Sequence, residues 1–265
     1  MQNNFQFKIT STSNPSIKEL LALTEKSKLR RELKFVVIEG IRELQMAYDN
    51  QFIIHKLYYN PLLTDISLLP NCPEAEYIPV NQHVFDKIAY RGGVANVVAI
   101  AEPKDLTFDS LKLSPNPLFL VLETIEKPGN LGAMLRTANA AKVDAVVVCD
   151  IATDVWNPNC IRASLGAVFG TPTIVTTSDE AIKFFKSNAI PIYVTWLEAS
   201  EPYYNCPLDK SAALVMGTEA FGISDKWLDN ADKRLIIPMY GEVDSLNVSN
   251  SAAIVLFEAL RQRVK

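Results

Sequence analysis

From Leu118 onward, short apolar runs alternate with longer mixed stretches. The runs at 119–122, 145–149, 173–175, 192–196, 213–216 and 235–237 are too short for buried helices and rich in β-branched residues, so they predict strands. Amphipathic segments between them predict helices, and strands that are apolar on both sides belong to a parallel sheet covered on both faces. The first hundred residues repeat the alternation on a smaller scale. Asn14-Pro15-Ser16 predicts a helix start, with Ile17, Leu20, Leu21 and Leu23 as its apolar face. Strands are expected at 35–38, 53–59, 77–80 and 94–101, and helices over Ile41 to Tyr48 and Gln82 to Ile88. Residues 104–117 are polar and include Ser114-Pro115-Asn116-Pro117, a local stop signal. The expected organisation is therefore a small α/β domain at 1–105, a linker at 106–117 and a larger α/β domain at 118–265.

Composition narrows the class. At 265 residues each half is long enough to bury a core of its own. No apolar run is long enough to span a bilayer, and MQNNFQFKITSTSNPS lacks the charged-then-apolar plan of a signal peptide, so a cytoplasmic protein with no membrane partner is expected. Cys72, Cys149, Cys160 and Cys206 form no CxxC pair and there are two histidines, which argues against a zinc site of the usual spacing. The net charge of −4 argues against a general nucleic-acid coat. Yet up to Tyr59 nine Lys or Arg face six Asp or Glu, an excess concentrated in Lys26, Lys28, Arg30, Arg31 and Lys34. That segment, SKLRRELK, is either a solvated helix face or a phosphate-contacting surface through Lys28, Arg30 and Arg31.

Three blocks in the second half carry candidate chemistry. Glu123 to Ala138 reads ETIEKPGNLGAMLRTA: Pro-Gly-Asn gives a turn, Asn130 is a plausible helix cap, and Arg136 six residues on is an exposed helix arginine unless something draws it into a site. Leu214 to Ser224 reads LVMGTEAFGIS. A strand ending in glycine admits close approach to its backbone, and Gly222 either does the same or supplies a positive φ. The third block, LIIPMYGEVDSLNVSNSAAIVLFE at 235–258, is strand, polar loop and helix. Ser245, Asn247 or Ser249 would each cap the helix, and several small polar side chains at such a junction also suit a ligand site. No GxGxxG follows any expected strand, so an ordinary dinucleotide fold is poorly supported.

Taken together the blocks resemble the three signatures of the SpoU, or TrmH, branch of the SPOUT RNA methyltransferases. Asn-x-Gly-x-x-x-Arg after the first strand, Gly-x-Glu-x-x-Gly, and Ile-Pro-Met followed by Ser-Leu-Asn-Val-Ser occur in order over about 130 residues. Ala220 stands where glycine is also common in the family. An Arg-Ala-Ser-x-Gly-Ala block at Arg162 has a counterpart in relatives, which would make Arg162 a phosphate contact. Its small residues also suit close helix packing. The first hundred residues look like the N-terminal substrate-binding domain of many members, related to RNA-binding ribosomal proteins.

The resemblance implies an α/β fold with a C-terminal trefoil-knotted SPOUT parallel-sheet domain preceded by a small α/β RNA-binding domain. It implies a homodimer, S-adenosylmethionine as cofactor, and methylation of an RNA ribose 2′-hydroxyl. The implied catalytic set is Asn130, Arg136, Glu219, Ser245 and Asn247. The implied cofactor-binding set is Met216, Gly217, Thr218, Glu219, Gly222, Ile237, Pro238, Met239, Ser245, Leu246 and Asn247. No metal is implied. Arg136 is read either as a general base or, because a guanidinium rarely gives up its proton, as an anchor for phosphate and developing alkoxide. The separate N-terminal domain favours rRNA, most naturally 23S rRNA, over tRNA, which remains the alternative. A non-catalytic RNA-binding or assembly factor on this fold, and a methyltransferase acting on a base or a small molecule, are the other readings.

Overall fold

In the computed structural model, which describes residues 6–89, 97–151, 153–198, 200–218 and 222–264, helix α1 (Pro15–Glu25) starts where the Asn-Pro pair predicts. Pro15 takes the first turn and the Asn14 side chain accepts from Ser16 N at 2.9 Å, the usual division of labour at a helix start. The charged segment forms α2 (Ser27–Leu33), and here expectation and structure part. Arg30 is 3% exposed. Its Nη1 donates to Leu23 O at 2.6 Å and Thr24 O at 3.0 Å, satisfying carbonyls that the C-terminus of α1 would otherwise leave unpaired. Arg30 is therefore a structural residue rather than an RNA contact. Lys28 and Arg31 are exposed.

The chain divides into two compact units, one of residues up to Lys104 with Trp156–Gly170, the other of Asp105–Val155 with Thr171–Lys265. In the first, strands β1 (Val36–Glu39), β4 (Val97–Ala101), β2 (Ile54–Tyr59) and β3 (Glu76–Pro79) lie side by side in that order, with β2 and β3 parallel and the other pairs antiparallel. The first three residues expected in the last of these strands, 94–96, lie outside the described residues. Helices α1 and α4 (Gln82–Ile88) supply Ile17, Leu20, Leu23, Val84, Phe85 and Ile88 to a core with Val37, Tyr58, Val98 and Ile100. Helix α3 (Ile41–Asp49) packs on α7 (Ala167–Gly170) of a later segment, whose preceding helix α6 (Pro158–Ala163) touches β1.

That later segment was expected in the second domain. Its small residues explain the departure: Gly166 has φ +80°, and a Cβ there would stand 3.2 Å from Glu43 Cα and 3.0 Å from Met46 Sδ. Phe52, Trp156 and Phe169 complete the contact with ring centroids 5.1 to 5.9 Å apart. Close packing of small residues accounts for this block within the first unit.

The second unit holds seven strands in the order β7-β6-β5-β10-β8-β11-β9, every pair parallel. They are β5 (Leu118–Glu123), β6 (Ala145–Cys149), β7 (Thr173–Thr176), β8 (Ile192–Thr195), β9 (Glu201–Pro202), β10 (Ala212–Met216) and β11 (Lys233–Ile236). Buried on both faces, β5, β6 and β10 read as unbroken apolar runs, as interior parallel strands do. One face carries α8 (Ser178–Ser187) and α9 (Asp225–Asn230), which contribute Phe185 and Trp227 to the core. Helix α10 (Val248–Arg263) packs against α5 (Pro128–Ala140) and against β10.

Buried polar groups in this unit have partners. Glu123, 6% exposed at the end of β5, accepts from Ser224 N at 2.9 Å and Ser224 Oγ at 2.5 Å, and the Trp227 indole donates to Ser178 Oγ at 2.9 Å. All four cysteines are buried and none is in a disulfide, and burial pushes the Cys149 thiol well above its ordinary range. The stretch expected as a linker is not loose. Leu106 bridges Ile174 in parallel register, the Phe108 ring stacks on Phe184 at 4.0 Å, and Ser114 N donates to Asp144 at 2.6 Å. Its apolar residues, interleaved among polar ones, seat it on the second unit.

Candidate active site

Chain progress reverses between β5 and β10: β5, β6 and β7 step outward on one side, while β8, β9 and β11 lie on the other. In open parallel sheets ligands bind outside the carboxyl ends of strands at such a reversal. A cleft of about 720 Å³ lies there, walled by Thr195, Trp196 and Leu197 after β8, Met216, Gly217 and Thr218 after β10, and Leu235 to Ile237 at the end of β11. Lys127 borders it from the β5 side, and Met239, Asp244, Ser245, Leu246, Asn247, Val248 and Ser251 from the loop and first turn of α10. Its volume falls within the roughly 300–1,000 Å³ typical of small-ligand sites.

The loop after β10 owes its shape to two glycines. Thr218 and Gly222 exchange backbone hydrogen bonds of 2.8 and 3.1 Å, which closes the loop on itself. A Cβ on Gly217 would meet the Gly222 carbonyl oxygen at 2.2 Å, so the group that approaches this glycine is the chain's own backbone. Gly222 has φ +69°, and a Cβ there would lie 3.2 Å from the Trp196 ring; it satisfies a positive φ and a packing constraint together. Glu219, between them, lies outside the described residues.

Asn130 is not the cap of its helix. Pro128 occupies the first turn of α5, as the fixed φ of proline favours, and Lys127 stands at the cap position without capping the helix through its side chain. Asn130 is therefore already inside the helix, and its Oδ1 accepts from Asn247 Nδ2 at 3.3 Å. Of the three residues able to cap α10, Asn247 is the one that does: its Oδ1 accepts from Ser249 N at 2.9 Å and from Ser249 Oγ at 2.6 Å. One amide thus caps a helix with its oxygen and ties the first block to the third with its nitrogen. Ser245 is exposed and donates to Asp244 Oδ1 at 3.2 Å.

Of the expected cofactor set, Met216, Gly217, Thr218, Gly222, Ile237, Met239, Ser245, Leu246 and Asn247 line the cleft; Pro238 does not. Arg136 is exposed and, among the described residues, makes no hydrogen bond or ion pair. Six residues along a helix turn it about 120° away from Asn130, and it forms no part of the cleft wall. Arg162 lies in the first unit, where its guanidinium donates to Asn159 Oδ1.

Sequence reasoning missed Lys127, Asp244 and Thr195 to Leu197. The first two sit inside blocks already singled out, and the last three end a parallel strand beside β10, where the switch-point rule would have found them. Lys127 and Asp244 are the charged side chains on the wall among the described residues.

A parallel α/β sheet with a cleft outside its strand ends, at the reversal of strand order, has the arrangement in which open α/β sheets hold ligands. Comparison with known proteins gives the lineage. The SpoU rRNA Methylase family profile matches residues 117–257, and an MRM3-like substrate binding domain profile matches residues 14–99. Among curated proteins the chain is 28% identical over 252 residues to the 23S rRNA (guanosine(2553)-2′-O)-methyltransferase RlmP of Bacillus subtilis, covering 94% of this chain and 97% of that one. It is 36% identical over 192 residues to the 23S rRNA (guanosine-2′-O-)-methyltransferase RlmB of Haemophilus influenzae, covering 70% and 78%.

Among solved structures, an RNA 2′-O ribose methyltransferase matches with TM-score 0.83 at 35% identity, covering 97% of this chain and 99% of that one. An AdoMet-bound rRNA methyltransferase from Sinorhizobium meliloti matches with TM-score 0.89 at 28% identity, covering 97% and 98%. The chain belongs to the SpoU rRNA methylase family.

Proposed function

We propose that this chain transfers a methyl group from S-adenosylmethionine to a ribose 2′-hydroxyl of 23S rRNA. The observation that carries the reading is the Asn130–Asn247 bond of 3.3 Å, which joins the block bearing Arg136 to a cleft whose make-up suits the cofactor. Met216, Ile223, Leu235, Ile237 and Leu246 give an apolar wall for an adenine, and Thr218, Ser245 and Asn247 give hydroxyls and an amide for a ribose. Lys127 and Asp244 provide one charge of each sign for a zwitterionic amino-acid end. When bound, S-adenosylmethionine supplies an electrophilic methyl on a sulfonium.

The chain's own tasks are alignment and charge control. Asn247, held by its cap, fixes Asn130 and the entry of α5. Arg136, a cation with its donors unengaged among the described residues, suits the role of gripping the target phosphate and stabilising the developing alkoxide. It suits the role of general base poorly, because a guanidinium rarely gives up its proton. Ser245 and Glu219 complete the proposed catalytic set. Lys28 and Arg31, exposed on α2, and Arg162 are proposed to meet RNA phosphates.

The family reading carries three further proposals. The C-terminal domain is a trefoil knot, consistent with α10 returning to pack on α5. The chain acts as a homodimer, for which Phe257, 48% exposed on α10, offers an apolar contact. It works in the cytoplasm, where rRNA is modified; no helix among the described residues is long and apolar enough to cross a membrane.

The test is transfer of labelled methyl from S-adenosylmethionine to protein-free 23S rRNA and, separately, to bulk tRNA, with 2′-O-methyl mapping of the product. Incorporation into 23S rRNA mapped to ribose is expected. Incorporation into tRNA alone moves the substrate class, and methylation mapped to a base overturns the reaction. No transfer to any RNA, together with no cofactor binding, makes the chain a binding factor.

A further inference from the structure

The loop that closes the cleft also carries the most exposed aromatic ring of the described residues. Tyr240 is 91% exposed and directly follows Met239, which lines the cleft. Beside it lies Tyr204, 47% exposed, whose phenol the neighbouring Tyr240 pushes above its ordinary value. Tyr203 meets Tyr204 edge to face at 5.2 Å. Its phenol lies within electrostatic reach of Arg261, a side chain 69% exposed and held by two bonds of 2.8 Å to Glu258. Single exposed apolar groups need no explanation. Exposed tyrosine rings beside a cleft match the way proteins hold single-stranded nucleic acid, with bases stacked on aromatic faces.

Building on the proposed function, we propose that Tyr240 and Tyr204 form a stacking platform for an unpaired base flanking the methylated nucleotide. A nucleotide whose ribose enters an enzyme cleft leaves its neighbour unstacked, and a ring at the rim replaces the lost partner. The same loop exposes Glu242 and Asp244, which favours a neutral base face over a phosphate at this spot.

The test is binding of protein-free 23S rRNA, and of oligoadenylate of about 12 nucleotides, to wild type, Tyr240→Ala and Tyr240→Phe over a range of salt. Tyr240→Ala is expected to weaken binding by about tenfold, with the salt slope unchanged because no phosphate contact is lost. Tyr240→Phe keeps most of the affinity, and S-adenosylmethionine binds all three proteins alike, which controls for the fold. Equal RNA affinity in Tyr240→Ala overturns the platform. So does a loss that follows a changed sedimentation coefficient, which would make the ring a contact between copies, and so does a wild type that fails to bind oligoadenylate. Absence of methyl transfer would refute the reaction without touching this result, since the platform is read from binding alone.

Discussion

Two arginines, one on α2 and one on α5, received opposite readings from the same kind of evidence, and the structure exchanges part of their roles. Arg30 sits in a run of charges that reads as a solvated, RNA-facing surface, yet it is buried on the carbonyls of α1. Arg136 reads as an ordinary helix arginine but for its signature, and it is exposed without a hydrogen bond or ion pair among the described residues. What separates them is whether neighbouring backbone needs a donor. A helix end that stops beside a second helix leaves carbonyls to satisfy, and the nearest long cation is drawn in; the middle of a helix asks for nothing.

Arg136→Ala should give the largest effect: a fall of about a hundredfold or more in kcat, with urea-denaturation stability within about 0.5 kcal/mol of wild type. Methyl transfer at the wild-type rate would erase the contrast. Arg30→Ala should do the reverse, lowering stability by about 2–4 kcal/mol because buried carbonyls lose their donor, while the folded fraction methylates at an unchanged rate. A substitution that left the denaturation midpoint in place would show the buried geometry to be idle. Asn247 lies between the two kinds: Asn247→Ala should lose about 1 kcal/mol of capping as well as activity. Asn247→Asp should keep the cap and lose only the donor to Asn130, so a stable but impaired enzyme is the expected outcome of stability and kinetics measured side by side. Arg31→Glu, the smallest, should weaken RNA binding a few-fold and flatten its salt dependence, leaving cofactor affinity and melting temperature alone.

Legibility followed burial. β5, β6 and β10 were readable because a strand enclosed on both faces must be apolar throughout, and the start of α1 because Asn and Pro act locally. Asn130 as the cap is three residues too late: Pro-Gly-Asn reads as a turn ahead of the helix, whereas Lys127 holds the cap position and Pro128 begins the helix. Trp156–Gly170 reads as part of the second domain because chain order cannot say which sheet a Gly-Ala segment packs against. For the cleft, the glycines at 217 and 222 were visible as permissive positions. That Gly217 yields to its own loop and Gly222 to Trp196 is a three-dimensional fact. Thr195 to Leu197 carried no polar motif, so their part in the wall was invisible until strand order placed β8 beside β10.

The Trp196 indole on that wall also has an optical consequence. The protein has three tryptophans: Trp227 is fully buried and Trp156 belongs to the first unit, which leaves Trp196 as the one on the cleft wall. Its fluorescence should change when a nucleoside enters and stay fixed when RNA engages only the first unit. Phe in its place should abolish the signal while leaving occupancy intact. Ligand arrival can thus be followed in real time, without a label, from emission native to the chain.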